Sequence, residues 1–252
     1  MNVLGVIPAR SGSKGVKNKN IRPINGKPLL EYSVFTALEA KKEGILSDVI
    51  VSTDSKEYLA LLKDYEIYKD YLRPKNISQD YSPTIDAIQD AVYWLEKNHN
   101  KRFDAVMLLQ PTSPFRTIDH IKEAILKLKN SPEATCVASV RKLGDHHPYR
   151  IKRIDNQGYL KEICNEFIEP ENSRRQDFNP TAYIRNGCIY LTPMKFIKMG
   201  IIRGDKVVAM EMPEANSINV DEHFDYLSAV NALEYEEFQS DLNFFNKLIN
   251  QV

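Results

Sequence analysis

Apolar residues along this chain fall into two alternating patterns. Val3-Leu4-Gly5-Val6-Ile7-Pro8, Asp48-Val49-Ile50-Val51-Ser52 and Ala105-Val106-Met107-Leu108-Leu109 are short, nearly unbroken apolar runs. Such runs predict strands covered on both faces. Between them the apolar positions recur at helical spacing. Leu29, Leu30, Tyr32, Phe35, Ala37 and Leu38 predict a helix from Pro28 to about Lys42. Ile85, Ile88, Val92 and Leu95 predict one from Ile85 to Lys97, and a third spans Ile118 to Leu128. Ser55 is placed to cap a helix running to about Asp64. Ile67 to Leu72 and Ala134 to Val140 are two further expected strands. Strand and helix in alternation predict a doubly wound α/β domain with a mostly parallel sheet, in which ligands sit beyond the carboxyl ends of the strands.

After Val140 the pattern changes. Two short strands around the turn signal Asn156-Gln157-Gly158 are expected between Arg150 and Ile163. The stretch to Pro180 is irregular, so residues 141–182 are taken as a small, partly β insertion within a single domain, 1–252. Cys188-Ile189-Tyr190-Leu191 and Val207-Val208-Ala209-Met210 return to the sheet. Asp221 to about Leu248 is expected to be helical, with Phe224, Leu227, Val230, Leu233 and Phe238 as its apolar positions.

Composition narrows the function classes. The formal net charge is zero over 252 residues, so bulk electrostatics gives no reason to expect nucleic acid or an anionic membrane, and local clusters must carry any anion binding. No apolar run is long enough to span a bilayer. Three widely spaced cysteines fit reduced thiols better than a disulfide framework. A first strand starting beside Met1 leaves no room for a signal peptide. The expectation is a cytoplasmic protein.

The candidate chemistry follows the strands. After the first comes Ala9-Arg10-Ser11-Gly12-Ser13-Lys14-Gly15-Val16-Lys17-Asn18-Lys19-Asn20. Small residues let backbone N–H groups approach an anion, and Arg10, Lys14, Lys17 and Lys19 add charge, which suits a polyphosphate as well as it suits a solvated basic loop. The spacing is neither that of a Walker A loop nor that of a dinucleotide fingerprint. Asp54, after the second strand, serves either as a ligand contact or as a helix cap. Arg73 and the polar run Gln79-Asp80-Tyr81-Ser82-Pro83-Thr84 offer donors and acceptors for a pyrimidine edge, while Ser82 or Thr84 also suits a helix start. Gln110, at the end of the most apolar strand and followed by Pro111-Thr112-Ser113-Pro114, can bond two neutral partners at once. His146 and His147 are adjacent and point to opposite faces of an extended segment, a poor arrangement for metal ligands. Arg174-Arg175 is a second basic cluster, suited to a carboxylate or phosphates.

Ala9-Arg10-x-Gly12-Ser13-Lys14-Gly15 with Lys19-Asn20 resembles the signature of the acylneuraminate cytidylyltransferases, and later segments match in the same order along nearly the whole chain. The resemblance implies transfer of CMP from CTP to the anomeric hydroxyl of a nine-carbon 2-keto sugar acid, with Mg²⁺ as cofactor, in a homodimer whose insertion reaches across to the second subunit. It implies nucleotide binding by Arg10, Lys14, Asn20, Arg73, Ser82 and Thr84, and sugar binding by Gln110, Arg150, Arg174 and Asn186. Lys14, Lys19 and Arg174 become the expected catalytic groups. Arg150 stands where the family's His-His-Pro-x-Lys has its Lys. Asn186 either touches the sugar or only closes a turn. Asn219-Val220-Asp221 stands where the family has Asp-x-Asp, so Asp221 with Asn219 is the expected metal site, with one charge fewer. A nucleotidyltransferase for another sugar acid such as Kdo, and a weakly catalytic sugar-nucleotide binding protein, remain the competing readings.

Overall fold

A computed structural model describes residues 1–12, 16–171 and 174–250. The central sheet has six strands: β1 (Val3–Pro8), β2 (Asp48–Ser52), β3 (Ala105–Leu108), β4 (Cys136–Lys142), β7 (Tyr183–Pro193) and β8 (Val207–Glu211), in the order β8-β4-β7-β3-β1-β2. The strands β5 (Lys152–Ile154) and β6 (Leu160–Glu162) form a separate antiparallel pair. β1 runs parallel to β2 and β3, and β8 parallel to β4. Within the six-stranded sheet, β7 alone is antiparallel to its neighbours. The fold is therefore doubly wound and mostly parallel, as the alternating pattern predicts.

The alternation of side chains along each strand builds a core on each face. Val3 and Ile7 of β1 and Val49 and Val51 of β2 pack with Leu30 and Val34 of α1 (Leu29–Lys42) and with Ile121 and Ile125 of α4 (Ile118–Lys129). Leu4, Val6 and Ile50 face the other way, onto Ile88, Val92 and Leu95 of α3 (Thr84–His99) and Ile197 of α5 (Met194–Lys198). A third cluster joins Tyr32 and Phe35 to Phe115, Phe245 and Leu248, which docks the C-terminal segment.

Three expected elements differ. Residues 67–72 form no strand. Their hold on the sheet edge is made by side chains: Tyr68 donates to Asp48 at 2.6 Å, and the Tyr71 hydroxyl lies 3.2 Å from Ser52 and 2.7 Å from Asp90. The backbone meets this edge where Arg73 N–H donates to the Thr53 carbonyl at 2.8 Å, and no ladder forms. The helix capped by Ser55, α2 (Lys56–Leu61), stops before Asp64, although the Ser55 hydroxyl does accept from Tyr58 N–H. The C-terminal helix breaks as well: α6 (His223–Ala232) is followed by short turns that fold Phe245 and Leu248 back under Tyr32. Phe224 and Leu227, expected as core positions, are exposed.

Residues 143–182 leave the sheet between β4 and β7 and carry β5 and β6. Among the described residues, no helix is long and apolar enough to cross a membrane.

Candidate active site

Beyond the carboxyl ends of β1, β2 and β3 lies a cavity of about 540 Å³, lined by Arg10, Lys19, Asn20, Arg73, Gln110, Asp221 and the 79–84 segment. β1 delivers the basic loop to this point. Asp54 then fastens it, accepting from both the Ser11 N–H and the Ser11 hydroxyl at 2.8 Å. Asp54 is thus a loop clamp, and the helix cap falls to Ser55. Asn20 is buried and its Nδ2 donates to the Arg10 carbonyl at 3.0 Å, so part of its side chain holds the loop's shape. Lys14 lies outside the described residues.

Two cations of the loop meet acids across the cavity. Arg10 pairs with Asp80 at 2.6 Å, and Lys19 with Asp221 at 2.8 Å. Arg73 differs. It is buried, its Nε donates to the Ser78 hydroxyl at 3.0 Å, and its Nη2 has no hydrogen-bond partner among the described residues. Burial holds its pKa below the usual arginine value. A buried donor left unmade costs of the order of 1–3 kcal/mol, more for a charged group. Such a cost is recovered when a ligand oxygen accepts from it. Ser82 and Thr84 line the same cavity, and the Ser82 hydroxyl accepts from the Gln79 N–H at 3.0 Å, which rounds the loop at the start of α3.

A second cavity, about 780 Å³, shares Pro83, Thr84 and Gln110 with the first and adds Arg185, Tyr190, Ile201, Ile202 and Arg203. Gln110 stands between the two. Its backbone is fixed by Arg116, a fully buried guanidinium that donates to the carbonyls of Gln110 and Cys188 and to the Ser33 hydroxyl. Burial lowers Arg116 to about 10, which leaves it charged at neutral pH. Gly187, at φ +75°, lets β7 approach closely: a Cβ there would sit 3.0 Å from Gln110 Oε1. Sequence reasoning missed Arg116. The available signal was a cation directly after Pro114-Phe115, in a segment that begins inside the core.

Four expected site residues are placed differently. Asn186 is buried with both ends of its side chain engaged: Oδ1 accepts from the Ser139 hydroxyl at 2.6 Å and from Cys188 N–H at 3.2 Å, and Nδ2 donates to Ser217 at 2.9 Å. It closes the irregularity where β4 and β7 shift register, and lines neither cavity. Arg150 is drawn to Asp145 and Glu169 of its own segment and lies 5.4 Å over the Phe178 ring. Arg174 pairs with Asp177 at 3.0 Å and is exposed. Neither lines either of the two cavities. Asn219 turns its Oδ1 to the Ser113 hydroxyl at 3.2 Å and its Nδ2 to Asp221 Oδ2. A carboxylate only accepts, so the amide must present its N–H₂ there, and its oxygen is not offered to a metal.

The donor set bears on that metal. Among the described residues no group of three His, Cys, Asp or Glu converges. Mg²⁺, however, commonly takes only one or two carboxylates and completes its shell with substrate phosphates and water. Asp221, largely exposed on the cavity wall, fits that reduced set alone.

The family model described as Cytidylyltransferase matches residues 4–157. The chain is 33% identical over 201 residues to a CMP-N,N'-diacetyllegionaminic acid synthase of Legionella pneumophila, covering 78% of this chain and 80% of that protein. It is 36% identical over 198 residues to a pseudaminic acid cytidylyltransferase of Campylobacter jejuni, covering 77% and 80%. An N-acylneuraminate cytidylyltransferase of Escherichia coli is 28% identical over 99% of this chain but 56% of its own length, so the chain spans about half of that relative. Among solved structures, a CMP:2-keto-3-deoxy-manno-octonic acid synthetase complexed with CTP superposes with a TM-score of 0.63 at 16% identity, covering 94% of this chain and all of the other. That likeness shows the fold.

Proposed function

From its membership of the cytidylyltransferase family, we propose that this chain transfers CMP from CTP to the anomeric hydroxyl of a nine-carbon 2-keto sugar acid and releases pyrophosphate. The observation that carries the reading is the cavity itself: its lining joins a clamped basic loop, Arg73 with its unpartnered Nη2, and a segment of mixed donors and acceptors. Arg10 and Lys19, with Lys14, hold the phosphates. The 79–84 segment and Arg73 take the nucleoside. The sugar acid occupies the adjoining cavity, where Arg185 and Arg203 offer its carboxylate two cations, Tyr190, Ile201 and Ile202 offer its acyl groups an apolar wall, and Gln110 bridges to the nucleotide.

The sugar hydroxyl oxygen forms a bond to the α-phosphorus as the bond to the bridging α,β-oxygen breaks; pyrophosphate leaves and the hydroxyl proton passes to solvent. Among the described residues lining the nucleotide cavity there is no histidine, and positioning with charge stabilisation is the main contribution open to this site. Mg²⁺ at Asp221 would neutralise charge on the phosphates. The donor nucleotide puts this work in the cytoplasm. The excursion 143–182 supports a homodimer: Ile154, Tyr159, Leu160 and Ile168 are exposed there, and Arg150 and Arg174 on the same segment then act at a partner's site.

The test is pyrophosphate release with each of the four nucleoside triphosphates against a panel of acids. N,N'-diacetyllegionaminic and pseudaminic acids lead the panel, because the relatives of matching length are named for them. N-acetylneuraminic acid and the eight-carbon Kdo complete it. Turnover is expected with CTP and a nine-carbon acid. Preference for Kdo or for another triphosphate contradicts the reading, and CTP binding without turnover on any acid leaves the binding-protein alternative in its place.

A further inference from the structure

Both oxygens of Asp221 are engaged before any ligand arrives. Lys19 Nζ donates to Oδ1 at 2.8 Å, and Asn219 Nδ2 donates to Oδ2. Asn219 Oδ1 lies 3.2 Å from the fully buried Ser113 hydroxyl, whose single proton it shares with the Asn186 carbonyl at 3.1 Å. The Asp221 backbone N–H donates to Asp225 at 3.0 Å, at the start of α6. The carboxylate is therefore fixed in place and aimed at Lys19. The Lys19 side chain is only 14% exposed, so its ammonium has few positions to choose from: against Asp221, or against a phosphate in the same cavity.

Resting on the nucleotide reading above, we propose that Asp221 is a latch. It withholds Lys19 from the nucleotide phosphates until a divalent cation claims the carboxylate, so that cation and nucleotide bind as one coupled event. The balance of charge requires such an exchange. A triphosphate entering beside an occupied Lys19–Asp221 pair meets a carboxylate and gains no free ammonium there. Taking the carboxylate out of the pair removes the repulsion and frees the cation together. Asn219 matters to this device. An amide at 219 orients Asp221 by donating to it, whereas a second carboxylate would repel it and leave Lys19 shared between two acids.

A double-mutant cycle read by CTP binding calorimetry in EDTA separates the latch from simple repulsion. The four proteins are the wild type, Asp221→Asn, Lys19→Met and the double variant, each checked by thermal melting. Asp221→Asn is expected to tighten metal-free CTP binding by about tenfold. In the Lys19→Met background the same change removes only the repulsion, so the tightening should be clearly smaller, because there is no ammonium to release. Mg²⁺ should strengthen CTP binding to the wild type and have little further effect on Asp221→Asn. Equal tightening in both backgrounds means the carboxylate only repels phosphate, and overturns the latch while leaving the nucleotide site intact. No tightening at all overturns it too. A wild type that fails to bind CTP even with Mg²⁺ overturns the proposed function, and the latch with it.

Discussion

At the carboxyl ends of the strands, polar groups are buried and answer one another. Arg116 holds two carbonyls and a hydroxyl, Asn186 bonds Ser139, Cys188 and Ser217, and Asn216 donates to the Phe115 carbonyl at 2.8 Å. In the excursion 143–182 the arrangement is reversed. Its charges pair with one another near the surface, Lys152 with Glu162 and Glu169, Arg150 with Asp145 and Glu169; His147, Tyr149, Phe167 and Phe178 pack together, but Ile154, Tyr159, Leu160 and Ile168 face outward. The first region is complete within one chain and keeps the cavity walls in place. The second is stable locally, through a hairpin in which Asp155 accepts from the N–H groups of Gln157 and Tyr159, but its apolar surface is left uncovered. Buried polar networks of the first kind set geometry, and exposed apolar patches of the second kind mark contact surfaces.

The largest effect that would break this contrast is expected at Arg116. Arg116→Met removes the guanidinium from the Cys188 carbonyl and the Ser33 hydroxyl and leaves the Gln110 carbonyl with the Ser113 N–H, and should cost about 2 kcal/mol or more at one to three per unsatisfied group. Denaturant titration measures it. A loss below about 1 kcal/mol would mean the network relaxes freely and does not fix Gln110.

A smaller and different effect is expected in the excursion. Ile154→Ser with Leu160→Ser should leave the unfolding free energy of the single chain, measured at dilution where it does not self-associate, within about 0.5 kcal/mol, because both side chains are exposed there. The same pair should weaken self-association by at least about tenfold in sedimentation equilibrium, since apolar anchors carry interface energy. An unchanged monomer–dimer equilibrium would detach the excursion from dimer formation.

The mildest expectation concerns pH. Burial lowers the His120 pKa below its ordinary 6.5, and its Nδ1 accepts from Thr117 N–H at 3.0 Å at the start of α4. Between the folded and unfolded pKa values only the unfolded chain takes the proton. Stability should therefore fall as pH drops below about 6.5 and level off below the folded value. His120→Gln should flatten that slope, and an identical slope in the variant would place the titration elsewhere.

How far the sequence foretold each region follows the same divide. The parallel strands and their covering helices were legible because Val3–Pro8, Asp48–Ser52 and Ala105–Leu108 are apolar on both faces, a pattern few other structures accept. The basic loop and Gln110 could be singled out as site candidates because they follow two of those strands, whereas Arg73, Ser82 and Thr84 follow residues 67–72, which form no strand, and stand out by residue type and the family resemblance. Periodicity misled where side chains do the bonding. Tyr68 and Tyr71 anchor residues 67–72 by their hydroxyls, which mimics a strand pattern without a ladder. Phe224 and Leu227 fit a helical stripe, yet the core beneath α6 is filled by Phe245 and Leu248, which return after the helix has broken. Asn186 and Asn219 look like ligand contacts by residue type alone. Their engagement depends on Ser139, Ser217 and Ser113, whose proximity only the folded chain reveals.

The central claim is that the cavity between the clamped loop and the 79–84 segment takes CTP. A crystal structure of the protein grown with CTP tests it most directly. The triphosphate is expected against Arg10 and Lys19, with an oxygen of the nucleoside accepting from Arg73 Nη2. Nucleotide bound elsewhere, with Arg73 Nη2 still unpartnered, would contradict it.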